Sequence, residues 1–217
     1  EMADDDDFST WPIQQRLSST KWKARVHAYE ELFKRFSEAE EDSAAVFREF
    51  ASSIKTIMEE KNVIAQEKGM PTLVTWVDRA TMAPRNAPAI CKKLIEKCLC
   101  ARAKTQEMTK EALLLFVERD QADAVLKCLF AGAKNKVPKI SAASIDMIRI
   151  ALEAFGARVV SARMILANLP NLFEFNDNKA REATMALAKA LYKYIGDAPL
   201  KACLSNIRSA HMKELED

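Results

Sequence analysis

The feature that most constrains the fold of this chain is a regular recurrence of helical segments in pairs. Apolar residues recur at the three- and four-residue spacing of amphipathic helices, and short polar joints separate the segments. The joints inside successive pairs, marked by Ser19, Asn62, Arg102, Lys136 and Asn178, lie about 34 to 43 residues apart. This period is close to the roughly 40 to 47 residues of HEAT-type repeats. The sequence therefore predicts an all-α solenoid of five to six helix pairs.

The composition agrees with an all-α fold. With 49% hydrophobic and 29% charged residues, the chain has an ordinary globular composition. Of its four glycines, three (Gly132, Gly156 and Gly196) fall where a helical pattern ends, which predicts C-terminal caps. The apolar runs are short and interrupted by charge, so we expect neither a transmembrane helix nor a signal peptide. The cytosol or the nucleus is the expected compartment.

Catalytic and metal-binding motifs are not evident. The five cysteines lie on helical patterns without a CxxC pair, so we interpret them as packing thiols. His27 is interpreted as a helical surface residue, and His211 lies far from it along the chain. There is no phosphate-binding glycine loop, nucleophile elbow or metal-ligand spacing. We therefore predict that the chain is not an enzyme and needs no metal or cofactor.

Domain and helix boundaries follow from the same patterns. Residues 1–9 are predicted to be a flexible acidic tail, and residues 10–217 a single domain. Pro138 suits the first turn of a helix, whereas Pro71 is expected to kink or break one. The predicted segments are 12–18, 22–37, 43–60, 63–83, 87–100, 105–118, 122–132, 139–155, 162–173, 179–195 and, as a short sixth pair, 199–216.

The joints inside the pairs are basic although the net charge of the chain is only +2. In a solenoid all these joints emerge along one edge, and acidic residues are scarce in them, with Asp177 the main exception. Polar loops rich in lysine would give a similar pattern without any function, but a basic edge predicts an acidic partner. The cations of the joints are Lys21, Lys23, Arg25, Lys61, Arg102, Lys104, Lys134, Lys136, Lys139, Lys179 and Arg181.

Trp22 lies at one end of this predicted edge, in the first turn of a strongly patterned helix. Two interpretations remain open: the indole caps the core of the first pair, or it anchors a partner. Trp11 and Trp76 are interpreted as packing residues. A basic edge could also bind nucleic acid, but stacking on bases would need several aromatic residues among the cations. A generic HEAT scaffold for an acidic protein or peptide is the alternative function.

Six stretches resemble, in order and spacing, the TOG domains of microtubule polymerases. The arrangement is most similar to the first TOG domain of an array, and the likeness covers nearly the whole chain. The stretches are WKARVHAYEELFK at 22–34, NVIAQEKG at 62–69, KNKVPKI at 134–140, ALEAFGARVV at 151–160, DNKAREATMALAKALYKYIG at 177–196 and HMKELE at 211–216.

The resemblance implies a flat paddle of about six HEAT repeats whose loop edge binds one αβ-tubulin heterodimer in its curved, unpolymerised form. It also implies a module of a microtubule-associated protein that promotes growth at plus ends and in the spindle. Cytoplasm and cytoskeleton, including spindle poles and the centrosome, are the expected locations. We expect no nucleic-acid or membrane partner and a monomeric isolated domain.

Site residues are carried over position by position. Trp22 matches the tryptophan that docks on β-tubulin, and the second and third loops are expected to face the same subunit. The fourth loop and the arginine of the fifth loop are expected to face α-tubulin, with Lys179 as a helper. The predicted tubulin-binding residues are Trp22, Lys23, Asn62, Val63, Arg102, Lys104, Lys136, Lys139, Lys179 and Arg181.

Overall fold

Helices make up all the regular secondary structure of residues 7–205, the range that this computed structural model describes. Most of the predicted acidic tail, the end of the predicted sixth pair and His211 lie outside that range. Within it, none of the helices combines the length and the apolar character needed to cross a membrane. The chain divides into two compact units, and each is described by itself. The first contains the residues up to Ala83 with Ala101–Ala112, and the second Pro84–Cys100 with the residues from Leu113 onward.

The first unit is built from helix pairs, as predicted. Its helices are α1 (Ile13–Leu17), α2 (Trp22–Ser37), α3 (Ala45–Glu49), α4 (Ala51–Met58), α5 (Val63–Arg79) and the first part of α7 (Ala103–Phe116).

A break at Phe50 divides the segment that was predicted as one helix over 43–60. Phe50 has φ −105° and ψ 17°, outside helical geometry, so α3 ends there and α4 begins after it. Both Phe47 and Phe50 are buried, and the Phe47 ring stacks on Phe36 with centroids 5.1 Å apart. The prediction of a continuous helix was wrong because burying both rings outweighs the local helical pattern.

Helices α2 and α5 pack side by side and run in the same direction. Midway along them, Thr72 is fully buried and its hydroxyl donates to the carbonyl of Tyr29 at 2.7 Å. At their C-terminal ends, Arg79 of α5 donates to the carbonyls of Phe36 and Ser37 at 2.7 and 2.9 Å. Since these contacts follow the same order in both helices, α2 and α5 begin at the same edge of the unit.

Helix α5 continues through Pro71, so the expected break does not occur. Close packing holds the helix on both sides of the proline. A Cβ at Gly69 would lie 2.9 Å from Cγ2 of Ile57, so the backbone of α5 packs directly against α4 there, and Thr72 is anchored to α2 as described above. The missing N–H of one proline costs less than separating these contacts would.

The aromatic residues of the first unit are largely internal. Trp76 is 2% exposed and its indole N–H donates to the carbonyl of Phe47 at 2.9 Å. Trp11 is half-buried and meets the Phe8 ring edge-on, with centroids 5.2 Å apart. The predicted packing role of both tryptophans is confirmed.

The second unit contains two layers of helices. In one layer α6, α8, α10 and α12 pack in succession; in the other α9 packs along α11. The bounds are α6 (Ala87–Lys97), α8 (Ala122–Ala133), α9 (Pro138–Phe155), α10 (Ala162–Phe173), α11 (Asn178–Ile195) and α12 (Asp197–Leu204), with the end of α7 and a wide turn at Val117–Gln121 between α7 and α8.

Helices α9 and α11 also run in the same direction and begin at the same end of the unit. Each ends at a glycine with positive φ, Gly156 at 75° and Gly196 at 74°, as predicted for C-terminal caps. A Cβ placed on Gly156 would lie 3.7 Å from Cε1 of Tyr194 in the last turn of α11, so the two C-terminal ends adjoin. Pro138 occupies the first turn of α9, as expected.

Gly132 was predicted to be a third cap, and this prediction was wrong. Helix α8 continues past it to Ala133. A Cβ at Gly132 would lie 2.5 Å from Oγ of Ser144 and 2.7 Å from Cγ2 of Ile95. The glycine is therefore explained by the close approach of α6 and α9 to α8, a tertiary contact that a helical pattern does not reveal.

Candidate functional site

The first unit brings the first and second loops together around Trp22. This residue is half-buried and begins α2. It lines an open depression of about 760 Å³, together with Leu17 at the end of α1, Thr20 from the first loop, and Lys61 and Asn62 from the second loop. Trp22 is thus partly packed against the protein and partly open to solvent. It can therefore cap the core of the first helix pair and also anchor a partner.

Arg25 connects these two loops. Its Nε and Nη2 donate to the two carboxylate oxygens of Glu60 at 2.7 and 2.6 Å, a bidentate ion pair. Its Nη1 donates to the backbone carbonyls of Ser19 and Thr20 at 2.7 and 3.2 Å. The sequence interpretation of Arg25 as an outward cation of the basic edge was wrong, because its donors are directed into the protein.

Glu60 is the centre of the same cluster. Its side chain is 3% exposed and accepts from the Tyr29 hydroxyl and the Asn62 backbone N–H, both at 3.1 Å. Burial acts to raise the pKa of Glu60, but the hydrogen bonds from Arg25, Asn62 and Tyr29 outweigh it and leave that pKa below its ordinary value. Burial, with the adjacent Glu60 charge, raises the pKa of Tyr29, so the phenol stays a neutral donor.

The second loop presents apolar side chains to solvent. Val63 is 54% exposed and Ile64 43%. Asn62, the residue directly before Val63, caps α5. Its side-chain oxygen accepts hydrogen bonds from the backbone N–H groups of Ile64 and Ala65, each at 3.0 Å. The structure therefore gives Asn62 a local role besides the predicted contact. Ile64 was not predicted as a contact residue. The sequence indicates its exposure only in that it is an apolar residue beside Val63 that does not belong to the buried stripe of α5.

The third loop lies beside the start of α5. Arg102 is exposed and its Nε is 3.6 Å from a carboxylate oxygen of Glu67 in the second turn of that helix. Lys104 is exposed in the first turn of α7. The first unit thus carries six of the predicted residues on its first three loops and the helix starts that follow them. We call them loop surface 1: Trp22, Lys23, Asn62, Val63, Arg102 and Lys104.

In the second unit the fourth loop precedes α9. Lys136 and Lys139 are exposed, and the Lys139 ammonium donates to the Cys100 carbonyl at 3.2 Å. Between the two lysines Val137 is 50% exposed. This valine lies within the KNKVPKI stretch but was not among the predicted contact residues. The sequence could have indicated it, because Val137 is an apolar residue between two lysines and directly precedes the proline that starts a helix.

The fifth loop precedes α11 at the same end of the second unit. Asp177 caps that helix by accepting from the Ala180 backbone N–H at 2.9 Å, which accounts for an acidic residue in an otherwise basic joint. Lys179 is exposed, whereas Arg181 is half-buried and donates to the side chain of Asn178. We define loop surface 2 as Lys136, Val137, Lys139, Lys179 and Arg181.

Four helices carry a lysine as their second residue, at the N-terminal end, where a positive charge destabilises a helix. Helix N-termini carry partial positive charge, so a lysine in the first turn costs about 0.3–1 kcal/mol compared with a favourable anion. Yet no acidic residue occupies the first turn of α2, α5, α7, α9 or α11. Helix stability alone does not explain this choice. The lysines are Lys23 in α2, Lys104 in α7, Lys139 in α9 and Lys179 in α11.

His27 is not the plain surface residue that the sequence predicted. It is half-buried, and its Nδ1 lies 2.7 Å from Nη1 of the buried Arg16, which also pairs with Glu31. Because a guanidinium only donates, Nδ1 of His27 accepts this hydrogen bond. The cluster ties α1 to α2. Among the described residues, no group of histidine, cysteine and acidic side chains could hold a metal ion.

Comparison with protein families gives a match over residues 7–217 to the XMAP215/Dis1/CLASP TOG domain. The chain belongs to this TOG-domain family. Among curated proteins, this TOG domain is 32% identical over its full length to Protein mini spindles of Drosophila melanogaster, of which it spans 11%. It is also 32% identical to the spindle pole body component alp14 of Schizosaccharomyces pombe, with 98% of the chain and 27% of that protein covered.

Solved structures show the same fold. One, described as the structural basis of tubulin recruitment and assembly by microtubule polymerases with TOG domain arrays, superposes with a TM-score of 0.79. The two are 23% identical in sequence, and the match covers 94% of this chain and 44% of the chain in that structure. The predicted all-α solenoid of HEAT repeats is confirmed.

Proposed function

We propose that this TOG domain binds the αβ-tubulin heterodimer in its curved, unpolymerised form. Loop surface 1 would contact β-tubulin and loop surface 2 α-tubulin. The observation that carries the proposal is the set of lysines at the starts of four helices, where they oppose helix stability and face solvent. An acidic partner would supply a compensating interaction to these lysines, of which Lys139 also donates to the Cys100 carbonyl within the protein. The solved TOG arrays described as recruiting tubulin support the choice of partner.

The two loop surfaces combine apolar and cationic side chains, which have different roles. Trp22 on loop surface 1 is an aromatic anchor of the kind that becomes a binding hot spot, worth about 2–4 kcal/mol. Val63 and Val137 add exposed apolar area near it and on loop surface 2. The lysines, being exposed, mainly raise the association rate and make it depend on salt.

In the whole protein, we propose, the domain is one module of a microtubule-associated protein that promotes growth at plus ends and in the spindle. The names of relatives such as the spindle pole body component alp14 support a location at spindle poles and the centrosome within the cytoskeleton. The role is binding rather than catalysis, with no cofactor, and the isolated domain acts as a monomer.

Size-exclusion chromatography with purified tubulin, at low and moderate salt, tests the proposal. We expect a stoichiometric shift of tubulin that Trp22→Ala abolishes. Trp11→Ala is the matched control, since Trp11 is also a half-buried tryptophan but packs on Phe8 and is not among the residues of the loop surfaces. If the unmodified chain does not shift tubulin at micromolar concentration, the proposal fails and a generic HEAT scaffold for another acidic protein takes its place.

A further inference from the structure

We propose that Arg25 and Glu60 are positioning residues, which hold Trp22 and the second loop in the geometry that binds tubulin. This inference rests on the proposed function. Neither side chain is offered to a partner as a contact: the Arg25 side chain is 16% exposed and that of Glu60 3%. Both would affect binding indirectly, by holding the backbone of the first and second loops in place through their hydrogen bonds.

The hydrogen bonds of Arg25 reach both sides of the depression that Trp22 lines. The two carbonyls that it binds belong to Ser19 and Thr20, which directly precede the first turn of α2. The carboxylate that it binds belongs to Glu60, which in turn accepts from the backbone N–H of Asn62. One guanidinium therefore connects the segment before Trp22 to the segment before Val63.

Only an arginine can make this set of contacts. The planar guanidinium has five N–H donors in a fixed fork, so it can pair with a carboxylate in bidentate fashion and still reach a carbonyl. A lysine at position 25 would keep the charge but could satisfy only part of the cluster. The loops would then sample more conformations, and binding would have to order them at a cost in affinity.

Arg79 provides a matched control because it makes a similar cluster at the far end of the same two helices. It donates to the carbonyls of Phe36, Ser37 and Ala39 at 2.7–2.9 Å and pairs with Asp42. Its loss should loosen the packing of α2 against α5 as the loss of Arg25 does. It should not alter the loops, which lie at the opposite ends of these helices.

The experiment compares Arg25→Lys with Arg79→Lys in the 217-residue chain. Thermal unfolding and tubulin affinity are measured for both. The chain is also labelled with 5-fluorotryptophan, and the ¹⁹F resonance of Trp22 is assigned with Trp22→Phe. We expect Arg25→Lys to weaken tubulin binding about tenfold and to move the Trp22 resonance toward its unfolded position. The Trp76 resonance should stay in place, and Arg79→Lys should leave affinity within about twofold.

The inference is overturned if the two variants weaken tubulin binding equally for the same loss of stability, or if the Trp22 resonance is unchanged in Arg25→Lys. Should Arg25→Lys not fold, Glu60→Gln removes the charge with little change of shape and is expected to show the same pattern, weaker. If the unmodified chain does not bind tubulin but the Trp22 resonance still moves, the proposed function fails while the positioning of Trp22 by Arg25 stands.

Discussion

At the residue scale, Glu60 is a nearly buried carboxylate that stays charged. Burial raises its pKa, but the hydrogen bonds that it accepts from Arg25, Asn62 and Tyr29 lower the pKa by more. Its folded-state pKa lies below the ordinary value. Folding therefore gains stability from Glu60 at any pH above the unfolded-state pKa. That gain is lost as the pH falls below the ordinary glutamate pKa and then through the lower pKa of the folded state.

We expect Glu60→Gln to reduce the free energy of unfolding by about 1–3 kcal/mol at neutral pH, because Arg25 loses its charged partner. The difference from the unmodified chain should shrink in acid, where Glu60 itself becomes protonated. Urea unfolding over a series of pH values measures this. Glu31, whose pKa is also lowered through Arg16 and Arg35, is present in both proteins and serves as an internal reference. A difference that does not depend on pH would contradict the charged role of Glu60.

The sequence predicted the position of Trp22 at the start of α2 correctly and the direction of the Arg25 side chain incorrectly, for a physical reason. Trp22 is identified by local features, namely a helix start and an apolar stripe, and both are where they were expected. The role of Arg25 depends on Glu60, which is 35 residues away along the chain. Spacing in a sequence does not show which of several arginines meets a carboxylate from another helix.

At the scale of helices, the lysines in the first turns predict a conflict between stability and binding. Lys23→Glu should stabilise α2 by about 0.3–1 kcal/mol, because an anion suits the N-terminus of a helix, and should also weaken tubulin binding. Thermal unfolding and tubulin affinity check the two effects.

A control in the same helix makes this test specific. Lys34→Glu causes the same charge change in the last turn of α2, where it opposes the helix dipole and places a carboxylate beside Glu38. We expect this control to lower stability and to leave tubulin binding unchanged. If Lys23→Glu lowers stability as well, helix polarity does not account for the lysines.

The helices themselves were largely predictable, and the exceptions share a cause. The bounds of α2 and α10 agree with the sequence pattern, because amphipathic spacing and polar joints are local signals. The break at Phe50, the continuous helix through Pro71 and the tight contact at Gly132 all depend on packing against other helices. Tertiary packing overrides local propensity at those positions.

At the scale of the whole molecule, the distribution of charge matters more than the net charge of +2. We expect Lys136→Glu with Lys139→Glu to lower the association rate constant for tubulin about tenfold and to reduce its salt dependence, with little effect on dissociation. Stopped-flow association at several salt concentrations measures this. Lys127→Glu, an exposed residue of α8, is the control for net charge and is compared with Lys136→Glu alone, which changes the net charge by the same amount. A change confined to the dissociation rate would argue against electrostatic steering.

The sequence also predicted the repeat architecture, since a period near that of HEAT repeats requires only counting along the chain. The basic loops could be predicted as a set, and Lys23, Lys104, Lys136 and Lys179 are exposed in the structure. Val137 and Ile64 could not be selected, because an apolar residue in a loop is exposed or buried according to contacts that the sequence does not specify.

Arginines and lysines divide between the interior and the loop surfaces, and this division has a chemical consequence. Arg16, Arg25 and Arg79 hold the first unit together through internal hydrogen bonds, whereas most cations of the loop surfaces are lysines. Acetylation removes the charge of a lysine and leaves a guanidinium intact. Treatment with an amine acylating reagent would therefore remove most of the positive charge of the loop surfaces, leaving Arg102 and Arg181, while the arginine contacts that maintain the fold survive.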